Sequence, residues 1–179
     1  MKTKNLFIAI VLLFTSVSAT FGQSYMKFAY VDTEYILENI PEYKEAQEQL
    51  EKISIEWQKQ LERKYAEIDK MYKDYQAEQI LLTEDMKRKR EDEIIKKEKE
   101  AKEFQKQKFG VDGELFKKRQ ELVKPIQDKV YEAVSEVANI GGYGIIFDKS
   151  GSLTMLYTNP KLNKSDDVLK KLGYKPGEN

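Results

Sequence analysis

The feature that most constrains this chain is a run of helix-forming sequence from Glu42 to Asn139, which holds one proline, Pro125, and two glycines, Gly110 and Gly113. The sequence offers one break in it, at "QILLTEDM", where Thr83 can cap free N–H groups and Glu84 and Asp85 suit the positive end of a new helix dipole. Before that break, Tyr43, Ala46, Leu50, Ile53, Trp57, Leu61, Tyr65, Ile68, Tyr72 and Tyr75 recur at a mean step of about 3.6 residues, which predicts a helix with one stripe to bury. After it the stripe is thin at Ile94, Ala101 and Phe104, then dense from Val111 to Val137.

Two such helices joined near residues 80–84 make an antiparallel hairpin. Pro41 and Pro125 stand almost equally far from that turn along the chain, so they fall opposite each other at its root, where a proline can bend a helix out of line. An arm of about forty residues per leg is roughly 60 Å long at 1.5 Å per residue. That is too long and thin for a globular domain. The expected organisation is a leader over 1–22, a body over 25–41 and 125–179, and an arm over 42–124.

The arm is heavily charged. Lys87-Arg88-Lys89-Arg90 alone suggests a nucleic-acid patch, but from Glu84 to Glu103 eight basic residues meet eight acidic ones. Charges so placed pair along a helix at i,i+4 and leave a wetted, self-neutralised surface. With no interleaved aromatics, nucleic acid is not an expected partner. The whole chain is balanced too, at 31 basic and 31 acidic residues.

The N-terminus supplies an address. Lys2 and Lys4 precede the apolar "LFIAIVLLF", and small residues follow in "TSVSATFGQ". This is the pattern of a cleaved export signal, with the cut expected between Ala19 and Gln23, and the apolar run is shorter than the ~20 residues of a bilayer span. Export excludes the nuclear reading of Lys87–Arg90. Loss of Lys2 and Lys4 would leave two fewer basic than acidic residues. Cys and His are both absent, which removes disulfides, thiol nucleophiles, imidazole bases and the usual zinc ligands. No catalytic carboxylate pair stands out among so many solvated Asp and Glu, so neither an enzyme nor a metal or cofactor site is expected.

In the body, "YMKFAYVD" reads as a strand, and "YGIIF" and "LTMLY" as a hairpin turning at Gly151. "NIGG" is a helix stop, and "KSDDVLKKL" a short helix with Ser165 as its cap. About three strands and a little helix bury too little to stand alone. Phe28, Tyr30, Ile145, Ile146, Phe147 and Leu156 are therefore the expected core of an oligomer.

These stretches resemble the Skp/OmpH family of periplasmic chaperones. "KFAYVDTEYIL" is similar to the family's opening strand, with Asp32 closing it. "IQDKVYEAVSEVANIGGYGIIFD" is similar to its helix, Val-Ala and strand ending in Asp, here Val137-Ala138 and Asp148. "NKSDDVLKKL" resembles its terminal D-I-T-x-D-V-L-K segment, with Ser165 at the Thr and Asp167 to Lys170 matching. Asn163 stands where that motif has Asp, the balanced charge departs from the family's basic character, and Gly110 and Gly113 fall inside the second arm helix, each costing about 1 kcal/mol against Ala, as a flex point or a tolerated defect.

The resemblance implies an α+β fold in which a helical arm is inserted in a small β body, three copies joining as a jellyfish-shaped trimer. It implies ATP-independent holding of unfolded outer-membrane proteins between the arms, in the periplasm. The candidate client surface is Tyr65, Met71, Tyr72, Tyr75, Ile80, Leu81 and Leu82, with Ile94, Ile95 and Phe104 opposite. Tyrosine and methionine suit weak, unselective contacts, although the same residues can simply glue the hairpin. Lys117, Lys118 and Arg119 lie near a basic pair that the family associates with lipopolysaccharide, which makes a lipid or membrane surface a further candidate partner. A purely structural envelope coiled coil is the competing reading.

Overall fold

The computed structural model describes residues 25–151 and 154–177; the leader expected over 1–22 and the cleavage between Ala19 and Gln23 lie outside them. Strand β1 (Lys27–Val31) leads into the short helix α1 (Thr33–Glu38). Helix α2 (Pro41–Glu78) runs out along the arm and α3 (Glu84–Phe109) returns. Helix α4 (Glu114–Gly141) carries the chain into the body, followed by strand β2 (Tyr143–Asp148), a 3-10 turn at Pro160–Leu162 and helix α5 (Ser165–Leu172).

Each boundary has a local cause. Asp32 caps α1 through a bond from the Tyr35 N–H at 3.0 Å. Pro41 occupies the first turn of α2, where its missing N–H is no loss. Thr83 caps α3 as expected, its hydroxyl accepting from the Met86 N–H. Gly142 ends α4 at φ 64°, a left-handed conformation that glycine alone adopts without strain. At 38 residues α2 is about 57 Å long.

β1 and β2 pair in parallel, so the whole arm is one excursion between two neighbouring strands. Across the register, Phe28 meets Ile145, Ala29 meets Ile146, Tyr30 meets Phe147 and Val31 meets Asp148. Side chains alternate along a strand, so Ala29, Val31 and Ile146 share one face. That face covers the body core of Val31, Ile36, Ile40, Val130, Ala133, Val168 and Leu169. Tyr43 and Ile126 pack on this cluster and on the next one outward, Ala46, Leu50 and Val123, so the Pro41 and Pro125 levels do coincide at the root.

Four sequence expectations change. The second arm helix is broken between Phe109 and Glu114, so the Glu42–Asn139 run has two interruptions. Thr154–Tyr157 forms no strand, and the sheet described has two strands, not three. Ser165 does not cap α5; it is the helix's first residue, and its hydroxyl accepts the Asp32 N–H at 2.9 Å while donating to Asn163 Oδ1 at 2.7 Å. Ile146, expected in an oligomer core, packs inside the chain.

Candidate functional site

The arm is held by a narrow apolar seam and a row of polar bridges. Toward the tip the seam consists of Ile68, Ile94 and Ala101, with Met71 and Tyr75 packed against them. Ile94 is 2% exposed, so this candidate client residue belongs to the seam. Along one edge, phenol hydroxyls of α2 donate to side-chain oxygens of α3: Tyr65 to Gln105 at 3.3 Å, Tyr72 to Glu98 at 3.0 Å and Tyr75 to Glu91 at 2.5 Å. Steps of seven residues from 105 to 98 to 91 keep the acceptors on one face of α3, because seven residues are nearly two helical turns. The hydrogen bond to Glu98 raises the Tyr72 pKa, and the bond to Glu91 raises that of Tyr75, since a carboxylate acceptor favours the protonated phenol. Lys97 and Glu67 join the legs at 2.9 Å; their hydrogen bond raises the lysine's pKa and lowers the glutamate's.

The candidate client residues therefore separate into two sets. Ile94, Met71 and Tyr75 are tied into the hairpin, and Phe104 is half-buried, with the Lys64 ammonium 5.4 Å from its ring. Tyr65, Tyr72 and Ile95 remain exposed along the arm. At the tip Ile80 and Leu81 are 89% and 85% exposed, with Leu82 half-buried behind them. The first set is glue; the second is an apolar surface on an otherwise ionic arm.

On the body, Phe28, Tyr30, Ile145 and Phe147 occupy the sheet face turned away from the core. Phe28 and Phe147 stack with centroids 6.3 Å apart. Together with Tyr30, Met155, Tyr157 and Leu162 they line an apolar groove, and Leu156 beside it is 96% exposed. Tyr30 is buried within the chain, its carbonyl accepting the Lys164 N–H at 2.8 Å.

Beneath the sheet, Asp148 locks the strand ends. Its carboxylate accepts from the Thr33 N–H at 3.1 Å and hydroxyl at 2.7 Å, and from the Ser150 N–H at 3.1 Å and hydroxyl at 2.8 Å. Partial burial pushes its pKa up, but those four bonds together outweigh it and the net shift is down. Lys117, Lys118 and Arg119 are exposed in the first turns of α4, Lys118 pairing with Glu121 at 2.8 Å. Among the described residues no group of three or more Asp or Glu is placed to hold a metal ion, and no helix is long and apolar enough to cross a membrane.

With this geometry in view, comparison with known families is decisive. The sequence profile of the OmpH-like outer membrane proteins matches residues 27–172, from the first strand through α5. The chain belongs to the OmpH-like family. Its fold is that of an OmpH-like crystal structure from Caulobacter crescentus CB15, a chain provisionally described as an outer membrane chaperone, with a TM-score of 0.63 over 87% of this chain and 88% of that one. At 13% identity that likeness speaks for the fold alone. No curated protein matches the sequence.

Sequence reasoning missed one constellation of this OmpH-like arm. Trp57 of α2 meets Phe109 edge-on at 6.2 Å, and the Lys108 ammonium lies 4.7 Å from the Trp57 ring. Its signal was present: residues 57 and 109 lie almost equally far from the tip at 80–84.

Proposed function

We propose that this protein is a passive holdase of the periplasm, which keeps unfolded outer-membrane proteins from aggregating by contact with its arms. The carrying observation is the exposed apolar and aromatic set on a long ionic hairpin: Tyr65, Tyr72, Ile95 and above all Ile80 and Leu81. A two-helix arm cannot bury its whole stripe, so what remains exposed offers many weak contacts, while the charged faces keep the arm in solution. Membership of a family that includes a chain described as a chaperone supports this reading.

The working particle is a homotrimer joined through the outer face of the β body, where Phe28, Ile145, Leu156 and Tyr157 are left uncovered. Three arms around one client multiply contacts that are individually weak. No nucleotide is required, for the sequence has no Gly-rich phosphate loop.

The test is to dilute a denatured β-barrel protein into buffer with and without this chain and follow light scattering. Protection should be independent of ATP. It should disappear when Gln58 to Lys108 is replaced by a short Gly-rich turn, a change the body should tolerate because Trp57 and Phe109 already face each other. Unchanged protection by the armless chain would transfer the activity to the body, and no protection by either would favour a structural envelope coiled coil.

A further inference from the structure

The break between α3 and α4 sits midway between the apolar clusters of the arm. On the body side the legs are joined by Ala46, Leu50 and Val123, and on the tip side by Ile68, Ile94 and Ala101. Between them Leu61 alone is fully buried on α2. Helix α2 runs unbroken across this level, whereas the return leg is interrupted.

An interruption in one leg has a mechanical consequence. Two helices packed side by side resist bending in their common plane, because one leg must lengthen relative to the other and a helix cannot stretch without losing backbone hydrogen bonds. A gap in one leg absorbs that difference, while the other bends gently as long helices do. The gap here is a built turn. The Gly110 N–H bonds the Lys106 carbonyl at 2.9 Å, and the Gly113 N–H bonds the Gly110 carbonyl at 2.9 Å. A Cβ at Gly110 would stand 2.4 Å from the Lys106 oxygen, and one at Gly113 would stand 2.8 Å from the Gly110 nitrogen. Both positions require glycine by close approach.

Lys108 bridges this turn. Its side chain is only 17% exposed. The ammonium lies 4.7 Å from the centre of the Trp57 ring and 5.8 Å from that of Phe104, and it bonds Glu114 Oε2 at 2.5 Å. One cation thus ties α2, the end of α3 and the first residue of α4 together. Most ion pairs of the arm are far more open, as with Lys73–Asp69, whose side chains are 72% and 62% exposed.

We infer that Gly110–Gly113 is a hinge in the arm and that Lys108, held by Trp57, Phe104 and Glu114, is the latch that sets the distal hairpin's angle to the body. Release of the latch lets the tip swing in the plane of the two legs. The inference concerns the arm itself and holds or fails without any client, so it is independent of the holding activity.

The experiment uses the mature chain with cysteines introduced at exposed Lys70 on the distal arm and exposed Glu132 on the body. The chain has no cysteine of its own, so two spin labels report one distance when labelled copies are diluted into unlabelled ones. In the parent the distance distribution should be narrow. Lys108→Met keeps the apolar stem and removes the charge; it should raise the population of bent arms on the order of tenfold, as expected for loss of a partly buried cation from two rings and a carboxylate. Glu114→Gln should act in the same direction and more weakly, and Lys108→Arg should restore the parent distribution. Trp57 is the sole tryptophan, so its emission should shift in Lys108→Met and stay unshifted in Lys106→Met, which alters a neighbouring exposed lysine. An identical distribution in parent, Lys108→Met and Glu114→Gln would overturn the latch, as would a Lys108→Arg chain that bends as freely as Lys108→Met.

Discussion

Ile145 and Ile146 are neighbours in β2 that face opposite sides of the sheet: Ile145, across from Phe28, is 42% exposed, while Ile146, across from Ala29, packs on the body core. Substituting the same charge at the two positions therefore separates folding from assembly. Ile146→Asp buries an unpaired carboxylate, costs several kcal/mol and should unfold the body at any concentration. Ile145→Asp leaves the core intact and should instead dissociate the particle into folded monomers. Circular dichroism and sedimentation equilibrium on both variants check this; an Ile145→Asp chain still trimeric would place the self-association surface elsewhere.

Asp148 should make the body sensitive to acid. Its folded pKa lies below the ordinary carboxylate value, so its contribution is complete above the unfolded value and is lost as pH falls through the folded one. Asp148→Ala orphans the Thr33 and Ser150 N–H groups and should destabilise by about 1–3 kcal/mol in urea unfolding near neutral pH. The difference from the parent should shrink in acid, where the parent carboxylate is protonated as well. A constant difference across that range would mean that packing, and not the carboxylate, holds the strand ends.

Much of the architecture was legible because its causes are local. Thr83 with Glu84 and Asp85 announces the start of α3 within three residues, and the 3.6-residue stripe of α2 runs without a gap from Tyr43 to Tyr75. The features that escaped are set by distant partners. Ser165 reads as a cap by its neighbours, yet its hydroxyl accepts the Asp32 N–H, 133 residues away in sequence. Gly110 and Gly113 read as a flex point or a tolerated defect inside a continuous helix, but the break, and the close approach of backbone atoms around them, is visible only once the turn is built. Thr154–Tyr157 has strand-forming composition but pairs with no strand among the described residues. On the arm, composition could not say which apolar residues would be seam: Ile94 and Ile95 are adjacent and alike, and helical phase alone buries the first and exposes the second.

The bridging phenols should titrate late. A phenol whose folded pKa is raised holds its proton more tightly in the folded chain, so its contribution is complete below the unfolded value near 10 and is lost as pH rises through the folded one. Tyr72 and Tyr75 are raised by their bonds to Glu98 and Glu91. Tyr35 and Tyr174 are raised first by burial and then by their bonds to Asp166 and Glu42. Ultraviolet absorbance of phenolate during alkaline titration should resolve a late group among the 11 tyrosines. Tyr72→Phe should reduce its amplitude; an unchanged late group would mean that the hydroxyl is not held by Glu98 in solution.

Tyr72 also allows its two roles on the arm to be told apart, because the ring and the hydroxyl do different things. The hydroxyl bridges to Glu98, while the exposed part of the ring is what a client could touch. Tyr75 differs: its hydroxyl bonds Glu91 and its half-buried ring packs against the seam, so its loss loosens the hairpin more than it removes exposed surface. Replacing both by Phe removes two solvent-exposed hydrogen bonds and retains the apolar area, so client protection should stay near the parent's. Replacing both by Ser removes the area as well, and protection should fall in steps from parent to single to double variant. Neither residue belongs to the β body, so sedimentation should give the same particle throughout. Added salt should change protection only modestly, because the chain's net charge is close to zero. The measurement is client light scattering at equal particle concentration for parent, Phe pair and Ser pair. If the Phe pair loses as much protection as the Ser pair, the hydroxyl bridges and arm geometry carry the activity; if neither loses any, holding belongs to the tip at Ile80 and Leu81 or to the body.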